Sequence, residues 1–399
     1  MSSSGYFQYN LRTVVHCAEE GIIRLPSLFE GLGAKRVVLF SDAGLKQVGV
    51  VDKIVRVFEN VSSGTTPELA GVYADIAPDA SFDSVNKALA FARSVAADAI
   101  LAVGGGSVLD ASKGVKYALQ HNAVQLEDVV DAGIKLGTWP KAQHSGVPHI
   151  AVPTTSGTGA EVSAGAVFFN EETNQKNNLV APFIDPDMAV LDPQLAVDLP
   201  AGLTASTGMD ALTHALEAVA SPIANHFTDS RGIYAAQLIE KHLPTAVADG
   251  KNMEARSSMM QASTMAIDAF LMAFNAIPVH NCAHAFGALY HIPHGDANAV
   301  LLPIVMEVLP DFYAPNAERL AAAMNMETQG KTGVALMSDV VARLRQFQEE
   351  IGCATSFSRW NASSHDLPKI VQAIATDPAG MAFAIPAERI KQIAIKAIG

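Results

Sequence analysis

At 399 residues, with 49% hydrophobic and 17% charged side chains, the chain is long enough for two domains with sizeable cores and has an ordinary globular composition. Its formal net charge of −13, without any basic block, excludes an extended nucleic-acid or anionic-membrane surface, which needs clustered Lys and Arg. It also lacks an uncharged apolar run long enough to span a bilayer.

The chain opens on Met-Ser-Ser-Ser-Gly-Tyr-Phe-Gln, without the charged and apolar regions of a secretory signal, and its cysteines Cys17, Cys282 and Cys353 are few and far apart. Both features predict a cytoplasmic protein. From residue 1 to about 195, short apolar runs alternate with helical patterns, as in an α/β domain. Arg36-Val37-Val38-Leu39-Phe40 reads as a buried strand ended by Ser41-Asp42. An acidic residue just past a strand suits a ribose 2′-hydroxyl and repels a 2′-phosphate, so in a dinucleotide site Asp42 favours NAD over NADP. The competing reading is a turn or helix N-cap.

Ala99 to Val103 is the next strand and runs into Gly104-Gly105-Gly106-Ser107, followed by a helical pattern. Glycines let backbone N–H groups approach a phosphate, Ser107 can cap the helix, and the helix dipole favours an anion, so this turn reads as a pyrophosphate seat. It is neither a G-x-G-x-x-G fingerprint nor a P-loop, and a tight turn without ligand is the alternative. His149 to Val152 forms a further strand that leads to Pro153-Thr154-Thr155-Ser156-Gly157-Thr158-Gly159-Ala160-Glu161, a run of hydroxyls and glycines able to serve a sugar or phosphate. Lys176 follows in a polar stretch and reads as a loop lysine.

Asp185-Pro186-Asp187, Asp192-Pro193 and Leu199-Pro200 then punctuate the chain, and the strand signals stop, which places a boundary between residues 1–195 and 196–399. Beyond it, Ala- and Met-rich helical patterns run to the end, including Thr228 to His242, Met253 to Phe274 and Pro315 to Met324. Asp210 and His214 are four apart, as are His280 and His284, and so share helical faces; His294 follows in a Pro-His-Gly break. One such pair is most often an ordinary core or surface feature, but two pairs and a further histidine favour a metal site. A carboxylate with imidazoles, and no thiolate set, suits Fe(II), Zn(II), Mn(II) or Co(II), with an open position for a substrate oxygen. Cys282 lies on another face from His280 and reads as a buried thiol.

Gly104-Gly105-Gly106-Ser107 with Asp110, Pro153-Thr154-Thr155 with Gly157-Thr158-Gly159 and Glu161, Asp192-Pro193, Gly208 to His214 with Glu217, and His280 to Asn298 together resemble, in order and spacing, the iron-dependent (group III) alcohol dehydrogenases. The resemblance spans about residues 35 to 310. It implies an N-terminal Rossmann-like α/β domain binding NAD, with NADP less favoured, an all-α C-terminal domain, and a cleft where the nicotinamide meets the metal. By the same resemblance the metal ligands are Asp210, His214, His280 and His294, with Fe(II) favoured over Zn(II) or Mn(II). His284 matches a position near nicotinamide and substrate and is the candidate proton relay. Asp42 matches the position of NAD preference, and Gly105, Gly106, Ser107, Asp110, Thr154, Thr155, Thr158 and Lys176 match the cofactor region.

Three positions depart from that pattern: Pro278 just before His280, Asp79 where an asparagine facing the cofactor ribose is common, and Asp377-Pro378-Ala379 in place of Asn-Pro-Arg. They bear on substrate and cofactor affinity. The expected reaction is hydride transfer between NAD(H) and a small primary alcohol, diol or hydroxyacid, with the metal acting as a Lewis acid, in a homodimer. The alternatives are a glycerol-dehydrogenase-like zinc enzyme and a dehydroquinate-synthase-like lyase. The lyase's anionic substrate needs a dense cationic pocket, whereas residues 201–300 hold only Arg231, Lys241, Lys251 and Arg256.

Overall fold

A computed structural model describes residues 7, 9–61, 67–130, 134–136, 144, 146–172 and 175–399. Most of the N-terminal stretch read above for a secretory signal lies outside the described residues. The chain divides into two compact units: one of Leu11–Thr155 and Gly159–Val197, the other of Asp198–Gly399 together with Ser156–Thr158 and the N-terminal residues up to Asn10.

The first unit is α/β. Its strands are β1 (Val14–Cys17), β2 (Arg36–Phe40), β3 (Glu68–Tyr73), β4 (Ala99–Gly104), β5 (Ile134–Leu136), β6 (His149–Pro153), β7 (Gly165–Asn170), β8 (Gln175–Val180) and β9 (Met188–Leu191). Among the described residues, six of them form a parallel sheet in the order β1-β9-β6-β4-β2-β3. The helices are α1 (Leu25–Gly31), α2 (Ala43–Gln47), α3 (Val50–Glu59), α4 (Phe82–Ser94) and α5 (Gly106–Gln120). Alternation along the strands sends side chains to opposite faces: Val37, Leu39, Leu101 and Val103 pack with Phe29 of α1 and Ile54 of α3. Val38, Phe40 and Ile100 pack with Val85 and Leu89 of α4 and Val115 of α5. Because helices cover both faces, β2 after its exposed Arg36, and β4, are continuous apolar runs rather than alternating.

A smaller sheet, β5-β8-β7, pairs β7 and β8 antiparallel and buries Phe168 and Leu179. The polar run Gln-Lys-Asn-Asn that opens β8 hides this strand from a reading of hydrophobic pattern, and Lys176 lies on it rather than in a loop.

The second unit is helical, so the chain has the expected architecture of an α/β unit with a parallel sheet and an all-helical partner. It contains α6 (Ala201–Ala220), α7 (His226–Ala248), α8 (Met253–Met272), α9 (Pro278–Tyr290), α10 (His294–Val308), α11 (Pro310–Tyr313), α12 (Ala317–Ala323), α13 (Gly333–Glu350), α14 (Leu367–Thr376) and α15 (Ala387–Ile398). One apolar cluster joins Met209, Leu212 and Leu216 of α6 to Ile239 and Leu243 of α7, Met259 of α8, Val300 and Leu301 of α10, and Leu344 of α13. Pro278 opens α9 at its first position, where the missing N–H costs nothing. His291 closes that helix in the left-handed conformation (φ 54), and α10 starts at His294. Among the described residues no single helix is long and apolar enough to cross a membrane.

Candidate functional site

In the α/β unit, the chain leaves β2 toward β3 at one edge and leaves β4 toward β6 on the other side, so the carboxyl ends of β2 and β4 form a topological switch point. Ligands of doubly wound sheets bind in such a crevice. Asp42 follows β2 there, and Gly104 to Ser107 follow β4. The Ser41 hydroxyl donates to the Val103 carbonyl at 2.9 Å and ties the two ends together. Gly104 is required sterically, because a Cβ would lie 2.6 Å from Val108 Cγ2.

Gly105, not Ser107, is the N-cap of α5, and Gly106 and Ser107 lie in its first turn. The Ser107 hydroxyl instead accepts the amide of Asp79 at 3.0 Å. Asp79 sits in the left-handed region (φ 60), and its carboxylate lies 3.3 Å from the Lys176 ammonium. The Thr154 amide donates to the Gly104 carbonyl at 3.0 Å, and the Thr155 side chain faces Gly105. These residues converge on one helix N-terminus, whose unpaired amides and dipole suit a phosphate.

Asp42 caps α2, with Oδ1 accepting the Leu45 amide at 2.9 Å. Asp110 spends its oxygens within the protein, on Lys113 (3.2 Å) and the Val167 amide (3.0 Å), and burial pushes its carboxyl up. Thr158 groups with the helical unit, apart from the other expected cofactor residues.

In the helical unit, α6 presents Asp210, His214 and Glu217, α9 presents His280 and His284, and α10 presents His294 and Asn298. Asp210, His280 and His294 each offer a ligand atom within 4.8 Å of the others. Asp210 Oδ1 lies 3.8 Å from His280 Nε2 and 3.5 Å from His294 Nε2. A tetrahedral ion with bonds of about 2.1 Å separates its ligand atoms by roughly 3.4 Å. The Asn298 amide nitrogen donates to Asp210 Oδ1 at 2.7 Å and lies 3.2 Å from His294 Nε2.

Burial holds His280 at about 3 and His214 at about 4, so both imidazoles are neutral at pH 7, the form that binds a metal. Burial pushes the Glu217 carboxyl up, while the Val279 and His280 N–H groups it faces and the neighbouring imidazoles favour its carboxylate form. His280 Nε2 is buried without a hydrogen-bond partner. An orphaned acceptor facing a carboxylate and a second imidazole is costly unless a cation fills the space, so these residues fit a divalent ion.

His214 is not in the three-residue group. Its ring stacks on that of His280 (4.6 Å between centroids, 22°), and its Nδ1 is a second buried nitrogen without a partner. His284 lies 5.4 Å from His294, ring to ring, with Nδ1 3.6 Å from Asp377 Oδ1. Gly295 brings α10 onto α6, since a Cβ there would lie 2.6 Å from the Ser206 carbonyl oxygen.

Sequence reasoning kept Glu217 and Asn298 only as parts of motifs, yet both meet ligand residues. Glu217 follows Asp210 by seven residues and His214 by three, and Asn298 follows His294 by four, so helical spacing was the available signal.

The family model for iron-containing alcohol dehydrogenase matches residues 13–193, and that for the C-terminal part of the same family matches residues 204–396. The chain belongs to the iron-containing alcohol dehydrogenase family. It is 35% identical to the 1,3-propanediol dehydrogenase of Klebsiella pneumoniae over 89% of this chain and 88% of that protein. It is 31% identical to an NADPH-dependent butanol dehydrogenase of Clostridium saccharobutylicum, over 86% of this chain and 84% of the other. A crystal structure of 1,3-propanediol oxidoreductase superimposes with a TM-score of 0.86 at 31% identity, covering 99% of this chain and 100% of that one. As an iron-containing alcohol dehydrogenase, the protein is an oxidoreductase that transfers hydride between an alcohol and its aldehyde. Neither the lyase nor the zinc glycerol-dehydrogenase alternative is favoured by these relatives.

Proposed function

We propose that this enzyme couples NAD(H) to a small primary alcohol, diol or hydroxyacid at a divalent metal centre, with Fe(II) the favoured ion and Zn(II) or Mn(II) accepted by the same donors. The observation that carries the reading is the group of buried Asp210 and His280 with half-buried His294, and its orphaned His280 Nε2. His214 is the proposed fourth ligand, supported by its orphaned nitrogen beside His280. When bound, the metal supplies Lewis acidity toward the substrate oxygen and the dinucleotide supplies the hydride acceptor. His284, next to His294 and Asp377, is the proposed proton relay.

In the α/β unit, the amides of Gly105 and Gly106, with Ser107, Thr154, Thr155 and Lys176, are proposed to hold the dinucleotide phosphates. Thr158 is proposed as a further cofactor contact, and Asp110 acts beneath the seat through Lys113 and Val167. Asp42 selects NAD by its charge, which matters because one relative is named for NADPH. That Cys17, Cys282 and Cys353 form no disulfide supports a cytoplasmic setting, and the edge strand β1, with Val14 and Val15 exposed, supports a homodimer.

Asp210→Ala or His280→Ala should lose metal and turnover together while NADH binding to the α/β unit persists. Metal analysis, NADH fluorescence titration and a screen of short alcohols, diols and hydroxyacids test this. Full activity in a metal-free His280→Ala protein would end the reading.

A further inference from the structure

Glu217 is 1% exposed, and both of its carboxylate oxygens are spent on α9. Oε1 accepts the Val279 amide at 2.7 Å, and Oε2 lies 2.5 Å from His280 Nδ1. Pro278 brings no N–H to the start of α9 and Ile277 provides no side-chain cap, so the Val279 amide is the first donor that this helix must satisfy. A residue of α6 therefore does the capping. The same carboxylate also faces one nitrogen of His280, whose other nitrogen has no partner and lies 3.8 Å from Asp210 Oδ1.

A neutral imidazole has one donor nitrogen and one acceptor nitrogen. With the proton at Nδ1, given to a carboxylate, the lone pair is left on Nε2, where a ligand is needed. We propose that Glu217 is the positioning residue of the metal centre: by accepting the Val279 amide and the His280 ring N–H together, it locks the start of α9 to α6 and keeps His280 Nε2 turned toward Asp210 and His294. The inference rests on the reading that Asp210, His280 and His294 hold the metal.

The two bonds require two acceptors. An amide at this position has one acceptor and one donor, so Glu217→Gln sets its NH₂ against either the Val279 amide or the His280 ring. The second arrangement moves the ring proton to Nε2 and blocks the ligand atom. Glu217→Asp keeps both acceptors on a shorter stem.

The test titrates Co(II) into each chelator-stripped protein, reading affinity by chelator competition, the visible ligand-field spectrum, and Tm without metal. The expected result is an affinity loss of about 10–100-fold with a changed spectrum for Glu217→Gln, and a smaller loss for Glu217→Asp. Zinc-loaded wild-type protein with ¹⁵N-labelled histidine should show a slowly exchanging, hydrogen-bonded Nδ1–H on His280. Unchanged Co(II) affinity and spectrum in Glu217→Gln would overturn the inference, as would equal losses in both variants that merely follow their metal-free Tm. Should the Gln variant not fold, absence of the protected His280 N–H in wild-type protein overturns it. Failure of the wild-type protein to take up Co(II) would instead defeat the metal-site reading itself.

Discussion

Gly295→Ala probes how the helices set the spacing of the metal ligands. The added Cβ would meet the Ser206 carbonyl oxygen at 2.6 Å and its carbon at 2.8 Å. Ordinary contact needs about 3.5 Å, so the first turn of α10 must move off α6 by roughly 0.9 Å. Backbone atoms form the obstacle and cannot rotate away. Overpacking costs about 1–3 kcal/mol, and the helix propensity of alanine over glycine returns up to about 1 kcal/mol. A net loss of about 0–2 kcal/mol corresponds to at most about 8 °C in Tm for a domain of this size.

The larger consequence falls on the site, because His294 precedes Gly295 and Asp210 lies one turn after Ser206. A productive site holds its groups within about 0.5 Å, and a misplacement near 1 Å costs on the order of a hundredfold. Metal affinity should therefore fall about 10–100-fold by chelator competition, well beyond what the Tm change explains. Gly202→Ala, at the start of α6 with nothing within 4 Å of its Cβ position, is the control: it should leave metal affinity unchanged and raise Tm slightly through the helix propensity of alanine. Wild-type metal affinity in Gly295→Ala would refute this coupling of packing to ligand spacing.

Asp42→Ala should lower the NAD-to-NADP ratio of kcat/KM by about 10-fold or more, the scale of one charged hydrogen bond, and should also cost about 1 kcal/mol of stability through loss of the α2 cap. Asp42→Ser keeps a cap without the charge, so an unchanged cofactor ratio in both variants removes Asp42 from cofactor selection. Asp79→Asn should release Lys176 from its ion pair and tighten NADH binding about 2–5-fold, in line with a pair whose carboxylate is mostly exposed. Fluorescence titration reads this, Lys176→Met should abolish the difference, and weaker binding in Asp79→Asn would contradict it.

The strands β2, β4 and β6 were legible because burial on both faces makes them continuous apolar runs. The polar start of β8 carries no such mark, and the pairing of Lys176 with Asp79 is a tertiary fact that strand register decides. The sequence marked the glycine turn after β4, but it could not tell that Gly105 caps α5 while Ser107 serves Asp79. Helical spacing put Asp210 and His214 on one face, yet only the crossing of α6, α9 and α10 determines that Asp210 meets His280 and His294, with His214 stacked to the side. Glu217 and Asn298 were visible as residues of the correct face; their hydrogen-bond partners lie on other helices or depend on side-chain rotamers, which periodicity does not encode.

The apolar packing around α6 has a consequence for how the enzyme matures. Its buried contacts with α7, α8 and α10 supply a core that does not depend on an ion, unlike a zinc finger, whose folding waits for its metal. Metallation then becomes a final step into a finished receptacle. The ion that arrives is chosen by what the surroundings offer at that moment more than by intrinsic affinity, and one ion can later be exchanged for another without dismantling the scaffold.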